Sequence, residues 1–307
     1  MKKYICFIVC ILLCLSVCFV ACDNDNSSDG IVRPPSSSSG NKNNSGNKDS
    51  VPTVSNKNDN TSNKKYDKKV ALTLDDGPHN VRTTAIVDEL DKYGYNATFF
   101  VVGNRIDGTE YNGAATLKYA YEHGNEIGIH GYTHGRYYDS CSDAEYKVEL
   151  SYTENAIKEQ IPKCTVKTLR PVGGKITDER IQTNKYSVIM WSIDSEDWKY
   201  KYATSGTEEN NEKLDIIVNN VMSKVKDGDI ILMHDIYQST VDAVVEILKQ
   251  LNEQGYDVVT VSELLGKKMS AGKSYTRLLA DAAAESLMSA EHSMLCTNTK
   301  KNFDVTC

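Results

Sequence analysis

Between Lys68 and Leu265 the chain alternates short apolar runs with longer amphipathic stretches. Val70, Leu72 and Leu74 mark a strand that stops at "DDGP". "RTTAIVDELDKYG" then places apolar residues at 86, 87, 90 and 93, the spacing of one helix face, and ends at Gly94. "NATFFVVG" reads as a strand, "GAATLKYAYEHG" as a helix with a terminal glycine, and "EIGIHG" as a short strand. A long helical pattern covers 142–161, and "TVKTLRPV" and "YSVIMWSID" read as strands. After a polar loop come the helix "LDIIVNNVMSKV", the strand "DIILMHD", a helix over 239–254, and "YDVVTVSELL" as a strand and turn. Strands alternating with helices predict an α/β architecture with a largely parallel sheet. About seven such strands fit a barrel better than an open sheet.

The flanks have different patterns. Lys2 and Lys3 precede an apolar run from Tyr4 to Ala21, followed by Cys22. A basic start, an apolar stretch and a small residue before the cut read as an export signal over 1–22. Ala21-Cys22 is similar to the bacterial lipoprotein signal, in which the cysteine is lipidated, although Phe19 stands where leucine is usual. An uncleaved signal anchor or simple secretion is the alternative; an apolar run of this length is just able to span a bilayer. Residues 23–66 are Asn, Ser, Lys, Gly and Asp with almost no large apolar side chain, which is the composition of a disordered tether. As a flexible coil its reach is roughly 35–40 Å. The folded domain is expected over 67–275. The tail 276–307 has helical propensity and no evident role.

Charge narrows the partners. The formal net charge of -7 falls on the part expected to fold, because the tether is nearly neutral. An acidic surface argues against nucleic acid, but not against a neutral polymer. Of nine cysteines, five lie at or before Cys22, and no CxxC pair exists, so a structural zinc cluster is not expected. Cys141, Cys164, Cys296 and Cys307 could form disulfides outside the cytoplasm, in pairings that sequence does not assign.

Parallel α/β barrels carry their chemistry at the carboxyl ends of strands. Here those ends hold Asp75 and Asp76, then His130 with His134, then Arg170, then Asp194, Asp197 and Trp198, then His234 and Asp235. Each has an ordinary alternative: a DDG turn, a surface ion pair, a core tryptophan. Spacing of i, i+4 would put His130 and His134 on one face of a helical turn, within reach of one ion. Two histidines and a carboxylate make three ligands with an open position, the arrangement of a catalytic metal site. His79, His123 and His292 fit no such role and read as surface or loop residues.

In order, "TLDDGP", "HGYTH", "LRPVGG", "DSEDW" and "LMH" resemble the five motifs of the NodB-type polysaccharide deacetylases, carbohydrate esterase family 4. The resemblance runs from about Lys68 to Leu265 and implies a distorted (β/α) barrel. It implies that Asp76, His130 and His134 bind one divalent ion, usually zinc, with cobalt or nickel as alternatives. It casts Asp75 as the general base held by Arg170, and His234 as the general acid paired to Asp197. Trp198 and Leu232 would wall the acetyl pocket, and the backbone N–H at Gly173 would meet the oxyanion. Two departures stand out. Gly131 occupies a place where the family has Ser or Thr, so a hydroxyl that could brace the loop is missing. Val172 and Gly173 replace Pro and an aromatic, so an aromatic groove wall is lost and a wider site is expected.

The implied function is removal of N-acetyl groups from an extracellular glycan. Peptidoglycan N-acetylglucosamine is the first expectation; chitin oligomers and acetylated xylan are the runners-up. The protein would sit outside the cytoplasm, held to a membrane by lipidated Cys22. An alternative of another class is a lipid-anchored carbohydrate-binding protein with little turnover. Oligomeric state is not legible.

Overall fold

The computed structural model describes residues 66–108 and 112–279. The expected signal, lipidation site and nearly all of the tether lie outside these residues, as do Cys296, Cys307 and most of the tail. Among the described residues no helix is long and apolar enough to cross a membrane.

The sheet is built around β1 (Lys68–Asp75), buried from Val70 to its end. Its apolar run is nearly continuous because both faces are covered, as parallel strands require. One edge of β1 pairs with β7 (Ile230–His234). The other is shared: β8 (Tyr256–Val259) pairs with its first half and β2 (Thr98–Val101) with its second. From β2 the sheet continues through β3 (Glu126–Ile129), β4 (Thr168–Leu169), β5 (Ser187–Ile189) and β9 (Ser274–Tyr275). On the far side β7 carries β6 (Ile193–Asp194). All of these pairings are parallel, so the carboxyl ends gather on one side. The result is a curled half-barrel, the distorted (β/α) barrel expected from the sequence.

Three strand expectations need correction. "YSVIMWSID" is two strands, because the chain leaves β4 after Ile189 and joins β7 at Ile193. At this break the carbonyls of Ile189, the last residue of β5, and of Met190 accept hydrogen bonds from Arg170. "TVKTLRPV" is extended but pairs only at Thr168–Leu169. Nine strands are described rather than about seven; Ser274–Tyr275 adds a strand on β5 that carried no apolar run to announce it.

Helices cover the outside: α1 (Arg82–Tyr93), α2 (Gly103–Asp107), α3 (Gly113–Glu122), α4 (Asp143–Gln160), α5 (Asp178–Gln182), α6 (Glu208–Met222), α7 (Gln238–Glu253) and α8 (Val261–Leu265). The start of α4 is legible in sequence as a capping box: Ser142 accepts from the Glu145 N–H, and Glu145 accepts from the Ser142 N–H. By contrast, α6 begins six residues before Leu214, where the expected helix began. Its first turn is exposed, so it shows no apolar period; Thr207 caps it. Cys141 and Cys164 are free thiols, so neither is in a disulfide with the other.

The buried face of α7, with Ala243, Val244, Ile247, Leu248 and Leu251, fastens the helical layer to the sheet. Ile247 is fully buried. Ile247→Ala is expected to cost about 2–5 kcal/mol in urea unfolding. A loss below about 1 kcal/mol would show that the layer is not closely packed there.

Candidate active site

Asp75 is the last residue of β1, level with His234 of β7 and Phe100 of β2. It is buried, and its Oδ1 accepts from Arg170 Nη1 at 2.9 Å. Arg170, fully buried at the end of β4, also donates to Thr73 Oγ1 and to the carbonyls of Ile189 and Met190. Its guanidinium lies 4.4 Å from the Phe100 ring centroid. A buried ion pair needs its remaining donors satisfied, and these partners take four of the five guanidinium N–H groups.

Asp76 breaks from the strand with φ 75. The turn continues through Gly77 and a cis peptide bond to Pro78. A Cβ on Gly77 would stand 2.1 Å from Asp235 Oδ2, so only glycine lets the turn rest on that carboxyl group. Asp235 therefore packs behind the turn, where Thr83 donates to it and burial pushes its pKa to about 7.

His130 follows β3, and its Nδ1 donates to the Arg170 carbonyl at 2.9 Å. That bond leaves Nε2 unprotonated in the neutral ring, facing Asp76 Oδ1 at 3.4 Å. His134 Nε2 lies 3.0 Å from the same oxygen. The two histidines do not sit on a helical turn, as their spacing implied. The segment is a tight loop with Gly131 at φ 93 and His134 at φ 58, and it still brings both rings to Asp76.

One ligand atom from each of Asp76, His130 and His134 lies within 4.8 Å of the others. Among the described residues, Asp76 Oδ1 is buried and has no hydrogen bond of good geometry, although both imidazoles face it. Burial works to raise its pKa, but the adjacent imidazoles hold it well below the usual carboxylate range. An ionised oxygen facing two imidazoles fits a divalent cation, and the nitrogen and oxygen donors suit zinc or a similar ion.

His234 stands at the end of β7 with its Nδ1 on Asp197 Oδ1 at 2.8 Å. Asp197 is fully buried and also accepts from the His234 and Trp198 N–H groups and the Thr240 hydroxyl. Burial opposes the charged ring, but Asp197 outweighs it and raises the His234 pKa to about 9. Asp194 accepts from the Glu196 N–H and shapes this loop.

Leu232 is buried on β7, and Trp198 is 47% exposed. Gly173 and Gly174 have φ 59 and 69, left-handed values that favour glycine. The groove beside Gly173 is not bare. A Cβ there would lie 3.2 Å from Cε1 of Tyr137, whose side chain comes from the loop after His134 and is 54% exposed. Neither Tyr137 nor Thr240 belongs to a motif, and no sequence period marks either.

Residues 62–187 match the polysaccharide deacetylase family. A peptidoglycan-N-acetylglucosamine deacetylase of Bacillus cereus is 36% identical over 214 residues, covering 66% of this chain and 90% of that protein. The peptidoglycan-N-acetylmuramic acid deacetylase PdaC of Bacillus subtilis is 39% identical over 197 residues, covering 64% of this chain and 38% of that one. The chain thus spans about two fifths of the length of the first curated relatives it matches. Among solved structures, a family 4 acetyl xylan esterase from Clostridium thermocellum in complex with a cobalt ion superposes with TM-score 0.59. It is 28% identical and covers 69% of this chain and 100% of that chain.

Ligand replacement tests the cluster. Asp76→Asn and His134→Ala are each expected to weaken Zn2+ or Co2+ binding by more than the roughly 10–100-fold typical of an outer-shell change. His123→Ala, a change at a residue paired with Asp91 away from the cluster, should leave affinity unchanged. Competition with a chromophoric chelator reads both; equal affinities throughout would remove the cluster as a metal site.

Proposed function

Because the chain belongs to the polysaccharide deacetylase family, we propose that it is a metal-dependent hydrolase that removes N-acetyl groups from a cell-wall glycan, in the first place N-acetylglucosamine of peptidoglycan. The observation that carries this reading is one cluster, Asp76–His130–His134, flanked by a buried pair, Asp75–Arg170, and a partly buried one, His234–Asp197. A divalent ion held there supplies a Lewis acid for the amide carbonyl and for water.

The side chains divide the proton work. Asp75 Oδ1 is engaged by Arg170, while Oδ2 lies on the side of His130, at 3.7 Å from its Nε2. In this reading that oxygen accepts a proton from the water that attacks the carbonyl carbon. The C–N bond breaks only if the amine leaves with a proton, because an amide anion is a very poor leaving group. His234, protonated at neutral pH, supplies that proton from its Nε2 while Nδ1 stays on Asp197. One amide and one water give acetate and a glucosamine-type amine. Trp198 and Leu232 offer apolar walls for the acetyl methyl, and the Gly173 N–H offers a donor to the oxyanion.

The named relatives act on glucosamine and muramic acid units of peptidoglycan, and a structural neighbour on acetyl xylan. The fold-level likeness therefore supports a glycan, and the two closely comparable sequence relatives favour peptidoglycan. An export signal over 1–22, a lipidated Cys22 and the polar segment that follows would hold the domain outside the cytoplasm, within roughly 35–40 Å of a membrane.

Acetate release from peptidoglycan, N-acetylglucosamine oligomers and acetylated xylan tests the reading. The metal-loaded protein is expected to release acetate most rapidly from peptidoglycan, and chelation to abolish release. Metal-loaded protein that binds glycan and releases no acetate from any of the three would refute it. Asp75→Asn should keep its metal yet lose roughly 10²–10⁴-fold in kcat, whereas Asp76→Asn loses the metal. Equal metal loss in both variants would show the roles to be wrongly divided.

The pH profile tests His234. Its folded pKa lies above the ordinary 6.5, so the acid form is present at neutral pH and is lost as pH rises through about 9. Because Asp76 and Asp75 contribute to that shift, a bound cation moves the alkaline limb of kcat to 9 or somewhat below. Asp197→Asn should move the limb further down, toward the ordinary histidine range; an unmoved limb would take the acid role from His234.

A further inference from the structure

His134 has an unusual problem of support. Its backbone is left-handed at φ 58, its ring is half exposed, and it comes from a loop rather than from a strand or helix. His130 is held twice, by its N–H on the Val101 carbonyl and its Nδ1 on the Arg170 carbonyl. The orientation of His134 depends on residues 131–133.

Those residues are held by a side chain outside every motif. Glu149, in the first half of α4, is buried at 4% exposure. Its Oε2 accepts from the N–H groups of Tyr132 at 2.6 Å and Thr133 at 2.9 Å. Its Oε1 accepts from the Thr133 hydroxyl at 2.6 Å. A buried carboxylate is stable only when its lone pairs are met, and bonds to an ionised acceptor are the strong ones. On the opposite side, the loop carbonyls of Gly131 and Tyr132 accept from the N–H groups of Gly103 and Asn104 at the start of α2. The loop is thus clamped at its donors by α4 and at its acceptors by α2.

The same geometry accounts for Gly131. A Cβ there would meet Tyr138 Oη at 2.8 Å and Glu149 Oε2 at 3.1 Å, and φ 93 disfavours any other residue. A serine or threonine hydroxyl has no room. We infer that Glu149 is a positioning residue for the metal centre: through Tyr132 and Thr133 it holds His134 in ligating geometry, in place of a hydroxyl at position 131.

The inference rests on the metal centre proposed above, and metal affinity separates the two. Zn2+ and Co2+ binding to the full chain is measured by chelator competition, with the Co2+ absorption spectrum as a signature of coordination. Glu149→Ala is expected to weaken binding roughly 10–100-fold, as loss of an outer-shell partner does, and to alter the Co2+ spectrum. Glu149→Gln keeps an acceptor for both N–H groups and should stay within about threefold of wild type. If the alanine variant does not fold, Glu149→Asp keeps the charge but falls one methylene short of the loop, and should show the same loss. On a His134→Ala background, the Glu149→Ala loss should largely disappear, because the ligand it positions is gone. Wild-type affinity in the alanine and aspartate variants, equal loss in the glutamine variant, or full additivity with His134→Ala would each overturn the inference. A wild-type chain that binds neither ion overturns the metal centre itself, and this inference with it.

Discussion

The architecture turns on one guanidinium. Arg170 leaves the end of β4 and reaches Thr73 and Asp75 on β1, across the two intervening strands β2 and β3. The same group takes the carbonyls of Ile189 and Met190, where the chain leaves β4 and passes from β5 toward β6. Its own carbonyl accepts from His130. One residue therefore serves three ends: its guanidinium covers the gap in the sheet and fixes Asp75, and its backbone carbonyl sets the tautomer of His130. Buried backbone carbonyls without donors are costly, so the gap is tolerable only because Arg170 fills it.

That arrangement also explains how two adjacent carboxylates share a strand end. Asp75 keeps the extended backbone of β1 and meets a fixed positive charge. Asp76 turns at φ 75 and meets two imidazoles, where its pKa stays low despite burial. A third carboxyl, Asp235, lies behind the turn and has the opposite fate: burial outweighs the Thr83 hydrogen bond and raises its pKa to about 7. Three neighbouring acids are thus separated by what each faces rather than by distance. Electrostatic environments pushed apart in this way are how one site can hold groups with different proton affinities.

The sequence made the strand ends legible because buried parallel strands are apolar runs, and an ionisable residue after such a run is conspicuous. Asp75, Asp76, His130, Arg170 and His234 were visible for that reason. The Asp76–His130–His134 cluster was also legible, although for a partly wrong reason: i, i+4 spacing stood for a helical turn, and the loop reaches the same cluster through two left-handed residues. What the pattern could not show was long-range satisfaction of hydrogen bonds. The break in "YSVIMWSID" depends on Arg170, nineteen residues before the first carbonyl it meets. No local period encodes that.

Both motif departures have the same physical character. At Gly131 the missing hydroxyl left the loop apparently unbraced, and at Gly173 the missing aromatic left the groove apparently bare. In each place the absence of a Cβ is what admits a group from elsewhere: Tyr138 and Glu149 at the first, Tyr137 at the second. A glycine in a motif is read in isolation as a loss of contact. In a packed site it is also a vacancy of fixed shape, and close packing means that something fills it. Restoring a side chain at either position would not restore a lost interaction. At Gly131 it would collide with the Tyr138 hydroxyl, at Gly173 it would press on Tyr137, and at φ 93 and 59 the backbone would resist the change as well. The shape of the site at these two glycines is therefore set by side chains from neighbouring segments, Tyr138 and Glu149 at Gly131 and Tyr137 at Gly173.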